Sequence, residues 1–122
     1  MKRVLITGAT SGLGLMLCRY FDLKKYEVIS IGRNKKKLSS LKKEISIYNR
    51  KTAFALDLSL KKNYSKLLRY LKSKTKKIDV IIHCMGGGFG LHNPLISKND
   101  LNFLFDINVS NAVGINKVVL EN

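Results

Sequence analysis

Behind the apolar run Val4-Leu5-Ile6 the chain reads Thr7-Gly8-Ala9-Thr10-Ser11-Gly12-Leu13-Gly14, and then apolar residues recur at three- and four-residue spacing through Leu23. Few folds accommodate a buried strand that enters a helix through three closely spaced glycines. The first glycine permits a tight turn; the others let backbone approach a pyrophosphate and let the helix pack closely on the strand. The start of such a helix carries unpaired N–H groups and the positive end of the helix dipole, which together suit an anion. The spacing is G-x-x-x-G-x-G. In a strand–turn–helix context it predicts a dinucleotide site on Gly8, Ser11, Gly12, Leu13 and Gly14.

The rest of the chain repeats that unit. Apolar runs of strand length are expected at 4–7, 28–31, 52–56 and 78–84. Amphipathic helices are expected at 13–23, with Leu13, Met16, Leu17, Tyr20 and Phe21 in phase, at 35–47, and at 61–74, and a long helix is expected from a Ser97…Asp100 capping box toward Leu120. Continuous apolar strands alternating with helices predict an α/β fold. Its parallel sheet is covered on both faces, doubly wound by right-handed crossovers, in the order 3-2-1-4. With 122 residues and no linker, residues 1–122 read as one domain. Between the fourth strand and the long helix lies a loop bearing Gly86, Gly87, Gly88 and Gly90.

Residues 1–77 carry 21 Lys and Arg against 4 Asp and Glu, while residues 78–122 carry 2 against 4. The lysines fall on outer helix faces without interleaved aromatics. This reads as a solvated basic surface, so a nucleic-acid partner is not expected. Lys2 and Arg3 ahead of the first apolar stretch mimic a signal peptide, but glycines break the stretch and no A-x-A site follows. No run of 18 apolar residues exists, and no membrane span is expected. The 2 cysteines, Cys18 and Cys84, make no disulfide scaffold and point to a reducing cytoplasm, as small apolar fillers. His83 reads as a hydrogen-bonded structural histidine and His92 as a loop residue. Neither has a second metal ligand at a suitable spacing.

Arg33 stands 19 residues after Gly14, within Gly32-Arg33-Asn34, and no acid occurs between Val28 and Lys43. A dinucleotide site has at this place an acid for the ribose 2′-OH or an arginine for a 2′-phosphate. The guanidinium suits the phosphate by bidentate contact, which predicts NADP(H) over NAD(H). Lys35 and Lys36 read as solvated helix residues.

At this point the chain resembles the N-terminal, cofactor-binding half of the short-chain dehydrogenase/reductase family, along essentially its whole length. Thr7 to Gly14 is similar to the family's TGxxxGxG fingerprint. Asp57-Leu58 resembles the pair that contacts adenine. Ile78 to Ile82, continued by His83-Cys84-Met85-Gly86, corresponds to the fourth strand and the Asn-Asn-Ala-Gly after it. Asp106-Ile107-Asn108-Val109 resembles the helix segment with the family's catalytic asparagine, here Asn108. The resemblance implies a Rossmann-type sheet and hydride transfer between a nicotinamide and a carbonyl or alcohol substrate. It also implies that Asn108 holds a proton-relay water. Cofactor contacts would fall on Gly8, Ser11, Gly12, Leu13, Gly14, Arg33, Asp57, Leu58, Cys84 and Gly86.

The chain also departs from the family. His83 and Cys84 replace two asparagines, and Ser11 stands where many NADP-preferring relatives have a basic residue. The family's serine and Y-x-x-x-K lie on the fifth strand and the following helix, whereas this sequence closes after the fourth helix, so the 122 residues alone are expected to be inactive. Tyr20…Lys24 and Tyr70…Lys74 are chance matches, since 5 tyrosines and 18 lysines in 122 residues make such spacings common. The alternatives are a non-catalytic NADP(H)-binding module or half of a split reductase. In either case a homo-oligomer or association with a C-terminal half is expected, because the fourth strand would form an open edge.

Overall fold

The computed structural model describes residues 1–73, 77–86, 90, 91 and 93–121; the expectations placed on Lys74, Gly87, Gly88, His92 and Asn122 lie outside the described residues. The elements in chain order are β1 (Arg3–Thr7), α1 (Gly12–Leu23), β2 (Glu27–Gly32), α2 (Lys35–Glu44), α3 (Ile47–Arg50), β3 (Ala53–Ala55) and α4 (Lys61–Lys72). Then come β4 (Val80–His83), α5 (Lys98–Phe105), a π-helical turn at Asp106–Ser110, and α6 (Asn111–Glu121). The strands pair in parallel in the order β3-β2-β1-β4. The chain winds outward from β1 to β3 and then returns to the other side of β1, so the winding reverses between β1 and β4. In open parallel sheets that reversal opens a crevice at the carboxyl ends of the strands.

Strand alternation divides the core into two layers. Val4 and Ile6 of β1 pack with Val28, Cys18 of α1, and Leu38 and Leu41 of α2 on one face. Leu5 packs with Ile29, Ile31, Leu67 and Leu71 of α4, and Ile115 and Val118 of α6 on the other. Each such aliphatic side chain contributes about 1.5–3 kcal/mol when fully buried. A buried polar knot closes the first layer. The Asn49 amide donates to the Asp22 carboxylate (2.8 Å) and to the Tyr26 carbonyl (3.0 Å), while its oxygen accepts from the Val28 N–H (2.8 Å).

Several local expectations are corrected. The helix expected over 35–47 ends at Glu44, because Ile45 turns into the core and the Asp22 carboxylate takes the Ser46 N–H (3.0 Å). The face of α1 against the sheet is Gly14, Cys18 and Asp22, while Leu13, Met16 and Tyr20 are exposed. The small Gly14 and Cys18 let the helix lie close on β1, with the expected Leu17 and Phe21, and Leu15, half-buried against the same core layer. The helical stretch from Lys98 to Glu121 is long and apolar enough, by length and composition alone, to cross a membrane. Ile107, Ile115 and Val118 bury it against the fold, whereas Leu101, Phe105, Val109 and Val113 are exposed. β4 is an edge strand among the described residues.

Candidate functional site

A cleft opens where the four parallel strands end, and each strand contributes to it. Gly8, Thr10 and Ser11 come from the turn after β1; Ile31, Gly32 and Arg33 from the end of β2; Leu56 to Ser59 from the segment after β3; and Cys84, Met85 and Gly86 from the segment after β4. Seven of the eleven site residues expected from sequence therefore meet in one place.

The β1–α1 turn is shaped by close backbone approach. Gly8 has φ +67°, and a Cβ there would lie 2.5 Å from the carbonyl carbon and oxygen of Cys84. A Cβ on Gly14 would collide with the Gly8 carbonyl oxygen, so Gly14 supports the turn from below and does not line the cleft. Gly12, at φ +52°, faces open space, with no described atom within 4 Å of a Cβ built there. Ser11 is the N-cap of α1, but its side chain makes no capping bond. Gly12 and Ser11 thus leave the first turn of α1 open in the way a pyrophosphate requires. Leu13 is 64% exposed and lies outside the cleft lining.

Arg33 stands directly beyond β2 on the exposed rim. Glu27, the nearest acid before it in sequence, lies at the opposite end of β2. It is clamped to the buried Arg3, whose Nη2 donates to both carboxylate oxygens at 2.8 and 2.9 Å. Its charge is spent 6 residues away along the strand. Asp57 is fixed by a local turn, with Oδ1 accepting from the Ser59 N–H (3.0 Å) and hydroxyl (2.6 Å). Leu58 borders the cleft but is 2% exposed, its side chain packing with Leu67 and Leu71.

Asn108 lies in the π-turn, where the Asn111 N–H reaches back to the Asp106 carbonyl, five residues away. Such turns disturb the i→i−4 ladder and recur at functional sites. The Asn108 Nδ2 donates to the Leu104 carbonyl at 2.9 Å. Its Oδ1 lies against Gly86, 2.5 Å from where a Cβ would stand, so the cleft and Asn108 meet through that glycine. Tyr64 braces the next turn, its hydroxyl donating to the Asn111 carbonyl at 3.1 Å, with burial pushing the phenol upward.

Of the two residues that replace the family's asparagines, His83 is hydrogen-bonded through Nε2 to Asn116 Oδ1 of α6 at 2.8 Å. Cys84 lines the cleft, and burial pushes its thiol up. Thr7, paired in register with His83, has a buried hydroxyl without a hydrogen-bond partner among the described residues. Thr10, Gly32 and Met85 were not anticipated. Gly32 carried the one available signal: a glycine ending a strand, where a Cβ would strike the Thr10 side chain.

The family model described as short chain dehydrogenase matches residues 2–122. The chain is 30% identical over 118 residues to an NADP-dependent 3-hydroxy acid dehydrogenase of Salmonella typhi, covering 96% of this chain and 47% of that protein. The crystal structure of a serine dehydrogenase from Escherichia coli superposes with a TM-score of 0.76 at 28% identity, covering 98% of this chain and 55% of that one. A bulky-bulky ketone specific alcohol dehydrogenase from Comamonas testosteroni gives a TM-score of 0.81 at 20% identity, covering 99% and 49%. The chain spans about half the length of the curated relatives it matches.

Proposed function

The chain belongs to the short chain dehydrogenase family, and we propose that residues 1–122 form one dinucleotide-binding half-domain of an NADP(H)-dependent, cytoplasmic oxidoreductase acting on a carbonyl or alcohol. The observation that carries this reading is the meeting of the Gly8–Ser11 turn, Arg33 and Asp57 in one cleft at the carboxyl ends of the strands. When bound, the dinucleotide supplies the hydride chemistry through its nicotinamide. The chain's own residues do the rest. The open first turn of α1 faces the pyrophosphate, with Gly12 leaving room for it. Arg33 meets the 2′-phosphate, and Asp57 and Leu58 border the adenine. Asn108, its amide held by Leu104 and set against Gly86, is the positioned polar group on the nicotinamide side.

The test is calorimetric titration of the chain with NADPH and NADH, in the wild type and in Arg33→Ala. NADPH binds more tightly, and Arg33→Ala removes most of the difference, roughly tenfold for one charge-assisted contact at an exposed rim. Equal affinities in the wild type overturn the assignment.

Two surfaces mark where further structure would attach. The edge strand β4 and the outward stripe Leu101, Phe105, Val109 and Val113 are surfaces of the kind that association covers. A C-terminal half carrying S…Y-x-x-x-K, or a second copy of the chain, would bury them.

A further inference from the structure

β3 closes the sheet on the side away from β4, so its outer edge lies at the far margin from any structure attached along β4. In the ladder with β2, the Thr52 carbonyl accepts from the Ser30 N–H at 2.9 Å, and the Leu56 N–H donates to the Gly32 carbonyl at 2.9 Å. Backbone groups alternate sides along a strand. The N–H and C=O of Ala53 and Ala55 therefore point away from β2, toward the open edge. A groove runs along that edge, lined by residues 53–56, by Lys42 of α2, and by Lys66, Leu67 and Tyr70 of α4. The two helices cover opposite faces of the sheet. Ala53 packs in the α2 layer with Leu38 and Leu41, and Phe54 in the α4 layer with Leu67 and Leu71. A groove that touches both helices sits edge-on to the sheet, in the plane where a further strand would lie.

The two sides of this slot differ in chemistry. On the α4 side Phe54 and Tyr70 meet edge to face, with ring centroids 4.8 Å apart, and give an apolar wall. Lys42 stands half-buried on the α2 side, and Lys66 is exposed on the α4 rim. Among the described residues no acid lines the groove, and neither lysine is in an ion pair. The nearest acids in sequence are engaged elsewhere. Glu44 is gripped by Arg19 Nε at 2.6 Å, and Asp57 lines the cleft at the carboxyl ends of the strands, where Ser59 donates to it twice. A second copy of a chain with 23 basic and 8 acidic residues would bring the same lysines to this edge and be repelled, whereas an acidic strand is attracted. We infer that the β3 edge is a docking site for an extended acidic segment of a partner protein, which adds to the sheet as a fifth strand. Its backbone pairs with Ala53 and Ala55. Its side chains alternate, apolar ones against Phe54 and Tyr70 and carboxylates toward Lys42, with Lys66 adding attraction from the rim. Arg33 and the glycine turn take no part, so the inference stands apart from the dinucleotide reading.

The probe is a fluorescein-labelled, end-blocked heptapeptide of alternating glutamate and valine, titrated against the full chain by fluorescence anisotropy. Its control has glutamine in place of glutamate. The wild type binds the acidic peptide saturably and at least tenfold more tightly than the control, and binding slows hydrogen exchange at the Ala53 and Ala55 amides. Lys42→Glu with Lys66→Glu weakens binding about tenfold, through two exposed charged contacts. Lys2→Glu with Lys24→Glu, the same change of net charge outside the groove, has little effect. Ala55→Pro removes an outward donor while leaving the β2 ladder intact, and weakens binding about fivefold. The lysine variants keep the wild-type urea midpoint and carry the test if the proline variant does not fold. Equal binding of the two peptides, unchanged exchange at Ala53 and Ala55, or equal losses in the two double variants overturns the proposal. Self-association that Ala55→Pro abolishes also overturns it, by assigning the edge to a second copy. So does a single-stranded oligonucleotide that binds more tightly than the peptide through the same two lysines, by assigning the surface to nucleic acid.

Discussion

Two glycines of the β1–α1 turn separate what the turn does for the fold from what it does for a ligand. Gly8→Ala strikes backbone on both sides. At φ +67° an alanine sits in the left-handed region, at a cost of about 1–2 kcal/mol. Its Cβ stands 2.5 Å from the Cys84 carbonyl and 2.7 Å from the Met85 nitrogen, none of which can rotate away. To recover ordinary contact at 3.4 Å the turn and the end of β4 must part by roughly 0.9 Å, and overpacking of this kind costs about 1–3 kcal/mol. The sum, about 2–5 kcal/mol, is a large part of the stability of an ordinary small domain. Gly12→Ala has φ +52° but open space around its Cβ, so it loses only the conformational part, about 1–2 kcal/mol. That open space is where the proposed pyrophosphate lies. Urea unfolding followed by far-ultraviolet circular dichroism suits a chain with 0 tryptophans, and NADPH titration of the same samples reads the ligand. Gly8→Ala should fall steeply in stability, while Gly12→Ala stays folded and loses NADPH affinity at least tenfold. A Gly12→Ala variant that binds NADPH as the wild type does would refute the reasoning, because the turn would then be structural only. A Gly8→Ala variant with an unchanged midpoint would refute the packing argument.

Three further outcomes follow from the structure. Asn49→Ala strips the Val28 N–H and the Asp22 carboxylate of a buried partner and should cost about 3 kcal/mol or more; a urea midpoint within error of the wild type would show that the knot is not a source of stability. Burial pushes the Cys18 thiol up to about 11 from 9.0. The unfolded chain therefore releases that proton first, and the stability it confers is complete below about pH 9 and lost as pH rises through about 11. In Cys18→Ala the midpoint should fall less steeply between those pH values, and at pH 8 a thiol reagent should modify the partly exposed Cys84 well before Cys18; parallel pH curves, or equal labelling rates, would contradict this. Residues 1–122 on their own should self-associate through β4 and the Leu101–Val113 stripe and should oxidise no NADPH against ketones, aldehydes or quinones, since proton transfer by a positioned acid is worth about 10²–10⁴ in rate; light scattering that finds a monodisperse monomer with turnover would be the contrary result.

What was legible in the sequence, and what was not, follows from the range of the interactions involved. β1 and α4 could be read directly, because a run of buried aliphatics and a helical repeat of Leu67, Leu68 and Leu71 are patterns that the chain carries locally. The sheet order could be read because crossovers have a fixed hand and the glycine turn marks the innermost strand. The turn residues Gly8 and Ser11, and Arg33 beyond β2, were likewise visible as punctuation at element ends. The buried face of α1 was not legible, because the choice between Leu13 and Gly14 is made by how closely the helix lies on β1. That distance is set by Gly14 against the Gly8 carbonyl, a contact between residues whose side chains are absent. The end of α2 was missed for a similar reason. The carboxylate that takes the Ser46 N–H belongs to Asp22, 24 residues earlier, and no local propensity encodes it. The π-turn at Asn108 falls in the same class, because the helical repeat in sequence is almost unchanged by it, and its signature is the Asn111 N–H on the Asp106 carbonyl. Lys37 is the sharpest instance. In sequence it is one of three consecutive lysines, identical in chemistry to Lys35 and Lys36. Only the phase of α2 against α1, set by the Asn34 cap and by Leu38 and Leu41 in the core, brings Lys37 and Ser11 to the same groove. Composition therefore reports the charge of this surface, while the packing of two helices decides which lysine shares a groove with Ser11.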